Sequence, residues 1–202
     1  VYDSNRALLL GLLRADGLEP TAWPRLPDDA RQVEVALRDA ACAFDVVITC
    51  GAVSVGERDH IPVVLQRFGE VHFWKVRMRP GMPVLLASVD QARVLALPGN
   101  PVSVLATYLT LGRALLDGLQ GAVEVRPAWR ARLDAPIHKT HPRREFVRGT
   151  WHVDADGVLR VDPHPATASN RLRVAAACNA LIVVGEDVQA LAAGSAVDVL
   201  PY

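Results

Sequence analysis

Hydrophobic positions along the chain follow two regimes. Up to about Gly121, helical spacing alternates with short apolar blocks; beyond it, only short alternating segments separated by turn residues remain. Asp3 or Ser4 can cap a first helix through Ala7, Leu8, Leu9, Leu10, Leu12 and Leu13, which Asp16-Gly17 ends. A helix so continuously apolar is expected to pack against a sheet. Pro20 and Pro24 leave room only for a weak or edge strand between Glu19 and Leu26. Asp28 and Asp29 start a second helix through Val33, Val35, Leu37 and Ala41, with acids at its positive end.

Asp45-Val46-Val47-Ile48-Thr49 is a short apolar strand that runs into Cys50-Gly51-Ala52-Val53-Ser54-Val55-Gly56. A helix is predicted from about Asp59 to Phe68, then a strand over Glu70 to Val76 and two strands at about 84–89 and 93–97 around an Asp90-Gln91 turn. A long helix follows from Pro101 to about Gly118. Strands and helices alternating in this way predict an α/β domain with a doubly wound, mostly parallel sheet. After Gly121, candidate strands fall at Trp129 to Leu133, Glu145 to Val153, Val158 to Asp162, Ala180 to Val184 and Ala196 to Leu200, with Asp156-Gly157 as a hairpin turn. They predict a small antiparallel, all-β and barrel-like unit. The expected domains are therefore residues 1–121 and 122–202.

Charge narrows the partners. The 22 lysines and arginines balance 22 aspartates and glutamates, so no net field favours nucleic acid or an anionic membrane, and any anion site must be local. Half the residues are hydrophobic and no apolar run is expected to span a membrane. Three widely spaced cysteines, Cys42, Cys50 and Cys178, argue against a disulfide framework and for a reducing, cytoplasmic setting. The opening residues have neither an initiator methionine nor a signal peptide's apolar core, so the chain reads as part of a longer one.

In open α/β sheets, ligands sit beyond the carboxyl ends of strands, where loops enter helices. Two such loops stand out: Gly51 to Asp59, and Pro98-Gly99-Asn100-Pro101-Val102-Ser103. Their glycines permit close backbone approach, Ser54 supplies a hydroxyl, and Pro101 suits the first helical position, where exposed N–H groups and the helix dipole favour an anion. Neither loop is a Walker loop or a dinucleotide fingerprint. Asp28 and Asp59 serve equally as helix caps, and strand alternation would send Trp74 and Lys75 to opposite faces. The six histidines show no metal-ligand spacing, and Cys50 has no activating base nearby in sequence.

Val1-Tyr2-Asp3-Ser4-Asn5, Pro27-Asp28-Asp29, Gly51-Ala52-Val53-Ser54-Val55-Gly56 with Asp59, Phe73-Trp74-Lys75-Val76 with Arg79-Pro80-Gly81, and Leu97 to Ser103 occur in an order that resembles the molybdopterin molybdenumtransferase family, which includes the gephyrin E domain. Glu145-Phe146-Val147-Arg148-Gly149 is similar to an element of that family's C-terminal β domain. The resemblance implies insertion of molybdate into adenylylated molybdopterin, with magnesium and release of AMP. It implies that Gly51, Ser54, Gly56, Gly99, Asn100 and Ser103 line the pterin and phosphate site, that Asp28 and Asp59 serve phosphates and metal (Asp59 as a magnesium ligand), and that Lys75 is a basic site residue. Arg79, Pro83, Arg148 and Ser169 match positions linked with molybdate. Homodimerisation of a full-length parent is implied as well, as is a first strand with a Thr-Gly-Asp-Glu motif before Val1.

Departures from the family pattern are also visible. Ala52 stands where the second glycine of a pair is usual, and Arg79-Pro80-Gly81-Met82-Pro83 replaces Lys-Pro-Gly-Lys-Pro. The first places a Cβ in a turn that needs positive φ, and the second removes a cation from an oxyanion site. A catalytically degenerate pterin-binding or scaffolding relative is the alternative these changes raise. A molybdopterin adenylyltransferase-like domain is another, against which the β unit counts.

Overall fold

Helix α1 (Ser4–Ala15) starts where the Asp3 carboxylate accepts the Arg6 N–H, and Gly17, at φ +81°, lets the chain turn away after Asp16. The computed structural model describes residues 3–54, 56, 59–123, 126–127, 129–165 and 175–202. Helix α2 (Ala30–Ala43) is capped by Asp29, whose carboxylate accepts the Arg31 and Gln32 N–H groups. Asp28 lies two residues before the helix, outside its cap, and is exposed. No strand forms between Glu19 and Leu26, correcting the weak strand expected there, because Pro20 and Pro24 cannot donate to a ladder.

The chain continues through β1 (Val46–Cys50), α3 (His60–Phe68), β2 (Glu70–Trp74), β3 (Met78–Arg79), β4 (Leu85–Val89), β5 (Ala92–Leu97) and α4 (Pro101–Thr107). Contacts divide it into two compact units, Val1–Val76 with Gly81–Thr107, and Arg77–Pro80 with Tyr108–Tyr202. In the first, the sheet order is β1-β5-β4-β2. β1 and β5 are parallel, whereas β5–β4 and β4–β2 are antiparallel. The α/β class holds, but this sheet is mixed rather than mostly parallel. The Asp90-Gln91 connection is too short for the crossover that a parallel neighbour requires.

Val33 and Leu37 of α2 and Ile61, Val64 and Leu65 of α3 bury one face of the sheet against Leu85, Ala87, Val89, Val94 and Ala96. Leu95 and Leu97, of opposite parity on β5, are buried too, and α4 packs on that strand. α1 packs on α4 and buries only Leu9 among its leucines, less than its apolarity led us to expect.

The second unit begins its helical part with a π-helical turn (Tyr108–Gly112) and α5 (Arg113–Leu119), which continue α4 in the chain. Gly112 lies against the Tyr108 ring, where a Cβ would come within 2.9 Å of Cδ2. Pro101–Leu119 spans 19 residues at mean hydropathy 1.2, so one segment does have the length and composition to cross a membrane, contrary to expectation. Its residues Val102 to Leu109 are buried within the protein.

Strands β6 (Trp129–Leu133), β7 (Ile137–His138), β8 (Arg144–Val153), β9 (Leu159–Pro163), β10 (Ala180–Val184), β11 (Ala190–Leu191) and β12 (Ala196–Pro201) complete this unit. β10, β12, β6, β9 and β8 pair in sequence, and β8 pairs back onto β10, which closes a five-stranded barrel. One of those pairs, β6–β9, is parallel, and β3 adds to β8 in parallel outside the ring. β8 faces β10 up to Gly149 and β9 from Gly149 onward. A Cβ at Gly149 would fall 2.8 Å from Ile182 Cδ1 and 2.9 Å from the Asp162 carbonyl oxygen. Gly149→Ala is therefore expected to destabilise the barrel by about 1–3 kcal/mol in denaturant unfolding, through overpacking.

Candidate functional site

Parallel pairing of β1 with β5 sets Cys50 opposite Leu97, so the loops leaving the two strands emerge side by side. The Gly51 N–H donates to the Leu97 carbonyl at 2.9 Å. Beyond that bond the backbones converge: a Cβ on Gly99 would stand 3.5 Å from Gly51 Cα, and one on Gly51 3.8 Å from Gly99 Cα. Gly51 has φ +87°, a conformation a side chain would strain. The two loops singled out in sequence are thus brought together at the carboxyl end of the sheet.

Each loop is anchored to a helix start. The Ala52 carbonyl accepts the Ile61 N–H at 3.2 Å, tying the first loop to α3, and the Asn100 carbonyl accepts the Val104 N–H at 2.9 Å, opening α4. The N–H groups before it, of Val102 and Ser103 in the first turn, have no helical acceptor and carry the positive end of the dipole. Asp59 precedes α3 but its side chain does not cap that helix. Its Oδ2 instead accepts the Gly56 N–H at 2.8 Å, while the Asp59 N–H donates to the Gly56 carbonyl at 2.9 Å. Ser54, Gly56 and Gly99 are exposed, Gly51 and Asn100 half-buried and Ser103 buried.

Two contributors escaped the sequence reading. The Asn5 amide donates to the Gly99 carbonyl at 2.8 Å, so the start of α1 joins the same site. Its Oδ1, with Thr49 Oγ1 near the end of β1, is buried and has no hydrogen-bond partner among the described residues. The second is Trp74, whose indole N–H donates to the Val53 carbonyl at 3.0 Å. Asn5 stands in a motif already singled out, so that signal was present; the long-range bond from Trp74 has no local signature.

Lys75 corrects an expectation. β2 ends at Trp74, and Lys75 adopts φ +69°, which breaks strand alternation and brings its ammonium 4.4 Å over the Trp74 ring instead of to the opposite face. The following segment folds back: the Lys75 N–H donates to the Val84 carbonyl and the Val76 N–H to the Met82 carbonyl. Pro83 lies half-buried and Met82 exposed in this return.

In the second unit, Arg79 on β3 sits 3.7 Å from the Glu145 carboxylate, and His141 Nε2 is 3.3 Å from the other oxygen of that carboxylate. The Arg143 backbone N–H donates to His141 Nδ1 at 3.3 Å. Arg148 is 4 % exposed on β8. Burial pushes the Cys178 thiol and the Tyr202 hydroxyl up, and the Arg148 guanidinium partly offsets both. Ser169 lies outside the described residues.

Burial, and then the Asp3 carboxylate, push the Cys50 thiol up to about 12. Cys50 is a neutral thiol at physiological pH, which leaves the site without a thiolate nucleophile there. No cluster of three or more histidine, cysteine or acidic side chains able to hold a metal occurs among the described residues. What the arrangement offers is a cradle of backbone N–H groups and hydroxyls flanked by Asp59, suited to a phosphate-bearing ligand.

Comparison with known proteins agrees with this chemistry. Residues 1–118 match the family described as "Probable molybdopterin binding domain", and residues 130–202 match the MoeA C-terminal region, domain IV. The chain is 32% identical over 204 residues to a molybdopterin molybdenumtransferase of Haemophilus influenzae, covering 100% of this chain and 50% of that protein. It is 33% identical to molybdopterin molybdenumtransferase 2 of Mycobacterium tuberculosis, covering 98% and 50%. The chain therefore spans about half the length of the curated relatives it matches. Among solved structures, a molybdenum cofactor biosynthesis protein from Pyrococcus furiosus superposes with TM-score 0.78 at 26% identity, covering 99% of this chain and 65% of that one. A molybdopterin biosynthesis MoeA protein from Pyrococcus horikoshii shares the fold, with TM-score 0.82 at 23% identity and coverage of 100% and 48%.

Ala52 holds φ +53°, so the alanine in place of a glycine does occupy a conformation that disfavours a side chain. Ala52→Gly should stabilise the protein by about 0.5–1 kcal/mol in denaturant unfolding, and a loss of stability would show that the alanine methyl contributes packing that outweighs its strain.

Proposed function

The chain belongs to the molybdopterin molybdenumtransferase family, and on that premise we propose that it forms the pterin-binding and C-terminal portions of an enzyme that inserts molybdate into adenylylated molybdopterin and releases AMP. The observation that carries this reading is the convergence of two glycine loops and the start of α4 at the ends of β1 and β5. In it, Gly51, Ser54, Gly56, Gly99, Asn100 and Ser103 line the pterin and its phosphates. The N–H groups at the start of α4 neutralise phosphate charge, and the Lys75 ammonium adds a cation.

Asp59 would hold magnesium entering with the substrate phosphates. The donor set suits it, because magnesium takes oxygen ligands and one or two carboxylates beside a phosphate suffice. When bound, the ion would polarise the phosphoanhydride whose cleavage releases AMP. Exposed Asp28 serves the same phosphates, while Arg79, Pro83, Arg148 and Ser169 receive molybdate, a tetrahedral dianion that guanidinium groups match with directed hydrogen bonds. No protein nucleophile is required; positioning and charge neutralisation carry the reaction. Domains at 1–121 and 122–202, a first strand supplied before Val1, a homodimeric parent and a cytoplasmic setting complete the reading.

The test is AMP release by the full-length parent given adenylylated molybdopterin, molybdate and magnesium. Molybdate-dependent AMP release is expected, reduced about tenfold or more by Lys75→Met, and altered only slightly by Met82→Lys. No release under conditions where a relative is active sinks the activity. A large gain from near zero on Met82→Lys identifies a degenerate pterin-binding relative instead.

A further inference from the structure

Trp74 sits between two parts of the candidate site that have no other common anchor in the geometry above. Its indole packs against the core formed by α2, α3 and the sheet, so the ring is fixed from behind. Its Nε1–H reaches the Val53 carbonyl at 3.0 Å, across 21 residues of sequence, and Val53 is itself only 1 % exposed. That bond falls between the positive-φ pair Gly51-Ala52 and the exposed Ser54, the stretch of the loop with the least regular backbone. On the other side, the π face of the same ring carries the Lys75 ammonium at 4.4 Å. Lys75 reaches that face because its φ of +69° turns the chain out of β2.

We propose that Trp74 is a positioning residue that registers the Gly51–Ser54 loop and the Lys75 ammonium against each other through a single rigid indole. The N–H end fixes the loop and the π face holds the cation, so the distance between phosphate cradle and cation is set by the width of one ring. A flexible lysine otherwise samples many rotamers, and stacking restricts it before the ligand arrives. This role rests on the proposed function above for its ligand, but the two bonds of the indole exist without it.

Substitution separates the two ends of the ring. Trp74→Phe keeps an aromatic face and removes the N–H; Trp74→Leu removes both. In the full-length parent, Trp74→Phe should weaken equilibrium binding of adenylylated molybdopterin about three- to tenfold, with the same factor in a Lys75→Met background, because the loop bond does not involve the lysine. The further step from Phe to Leu should weaken binding about two- to fivefold only while Lys75 is present. A purely structural role predicts losses that track the unfolding temperature and ignore the residue at 75.

A ligand-free readout keeps the positioning role separate from the assigned ligand. In a 15N spectrum, the indole N–H that disappears in Trp74→Phe should be protected from exchange, and it should shift in Lys75→Met. An indole N–H that exchanges at the solvent rate, or a Trp74→Leu protein that binds as tightly as wild type while Lys75→Met binds weakly, overturns the proposal. A protected and lysine-sensitive indole in a parent that does not bind adenylylated molybdopterin upholds the positioning and refutes the function it was assigned to serve.

Discussion

The structure of the candidate site depends on one constraint: two strands distant in sequence run parallel and end together. The register that sets Cys50 opposite Leu97 obliges the loops after β1 and β5 to share a small volume. Gly51 and Gly99 meet there at van der Waals distance, a Cβ on Gly99 standing 3.5 Å from Gly51 Cα and one on Gly51 3.8 Å from Gly99 Cα, and Gly51 holds a positive φ that favours glycine. Other features of the site follow from that crossing. The Gly51 N–H finds the Leu97 carbonyl, the carbonyl of Gly99 is taken by Asn5, and the start of α4 is left facing the same space as the first loop. A side chain at Gly51 would strain the turn that brings the first loop beside the second.

Much of this was legible because several local signals agree at the same residues. β5, the Pro98-Gly99-Asn100-Pro101 turn and α4 are encoded by an apolar run, a flexible residue and a proline at the first helical position, so strand, turn and helix were visible together. The strain at Ala52 was legible for the same reason, as a change of one residue in a turn with a defined requirement. What sequence concealed depends on partners far along the chain. The early end of β2, set by the backbone of Lys75, inverts the side-chain alternation on which its separation from Trp74 was argued. Strand β3 is two residues long and exists only through its pairing with β8. The π-helical turn within Pro101–Leu119 leaves no periodic trace that a helical pattern would miss.

Electrostatics divide along similar lines. Charged groups near the candidate sites are engaged rather than idle: Asp59 binds the Gly56 amide, Arg79 faces Glu145, and Lys75 rests on Trp74. Such arrangements hold side chains in one orientation at modest energy, on the order of 0.5–1.5 kcal/mol each, so a dianion or phosphate can displace or recruit them without large reorganisation. Cys50 shows the opposite design. Burial beside an acid keeps it neutral.

The central claim, that the crossing loops cradle the phosphate of a pterin ligand, is tested most directly by amide hydrogen exchange in the full-length parent with and without adenylylated molybdopterin. Protection concentrated in Gly51 to Gly56 and in Gly99 to Ser103 is the predicted result. Binding that leaves both loops exchanging as in the free protein, with protection confined to other segments, would contradict it.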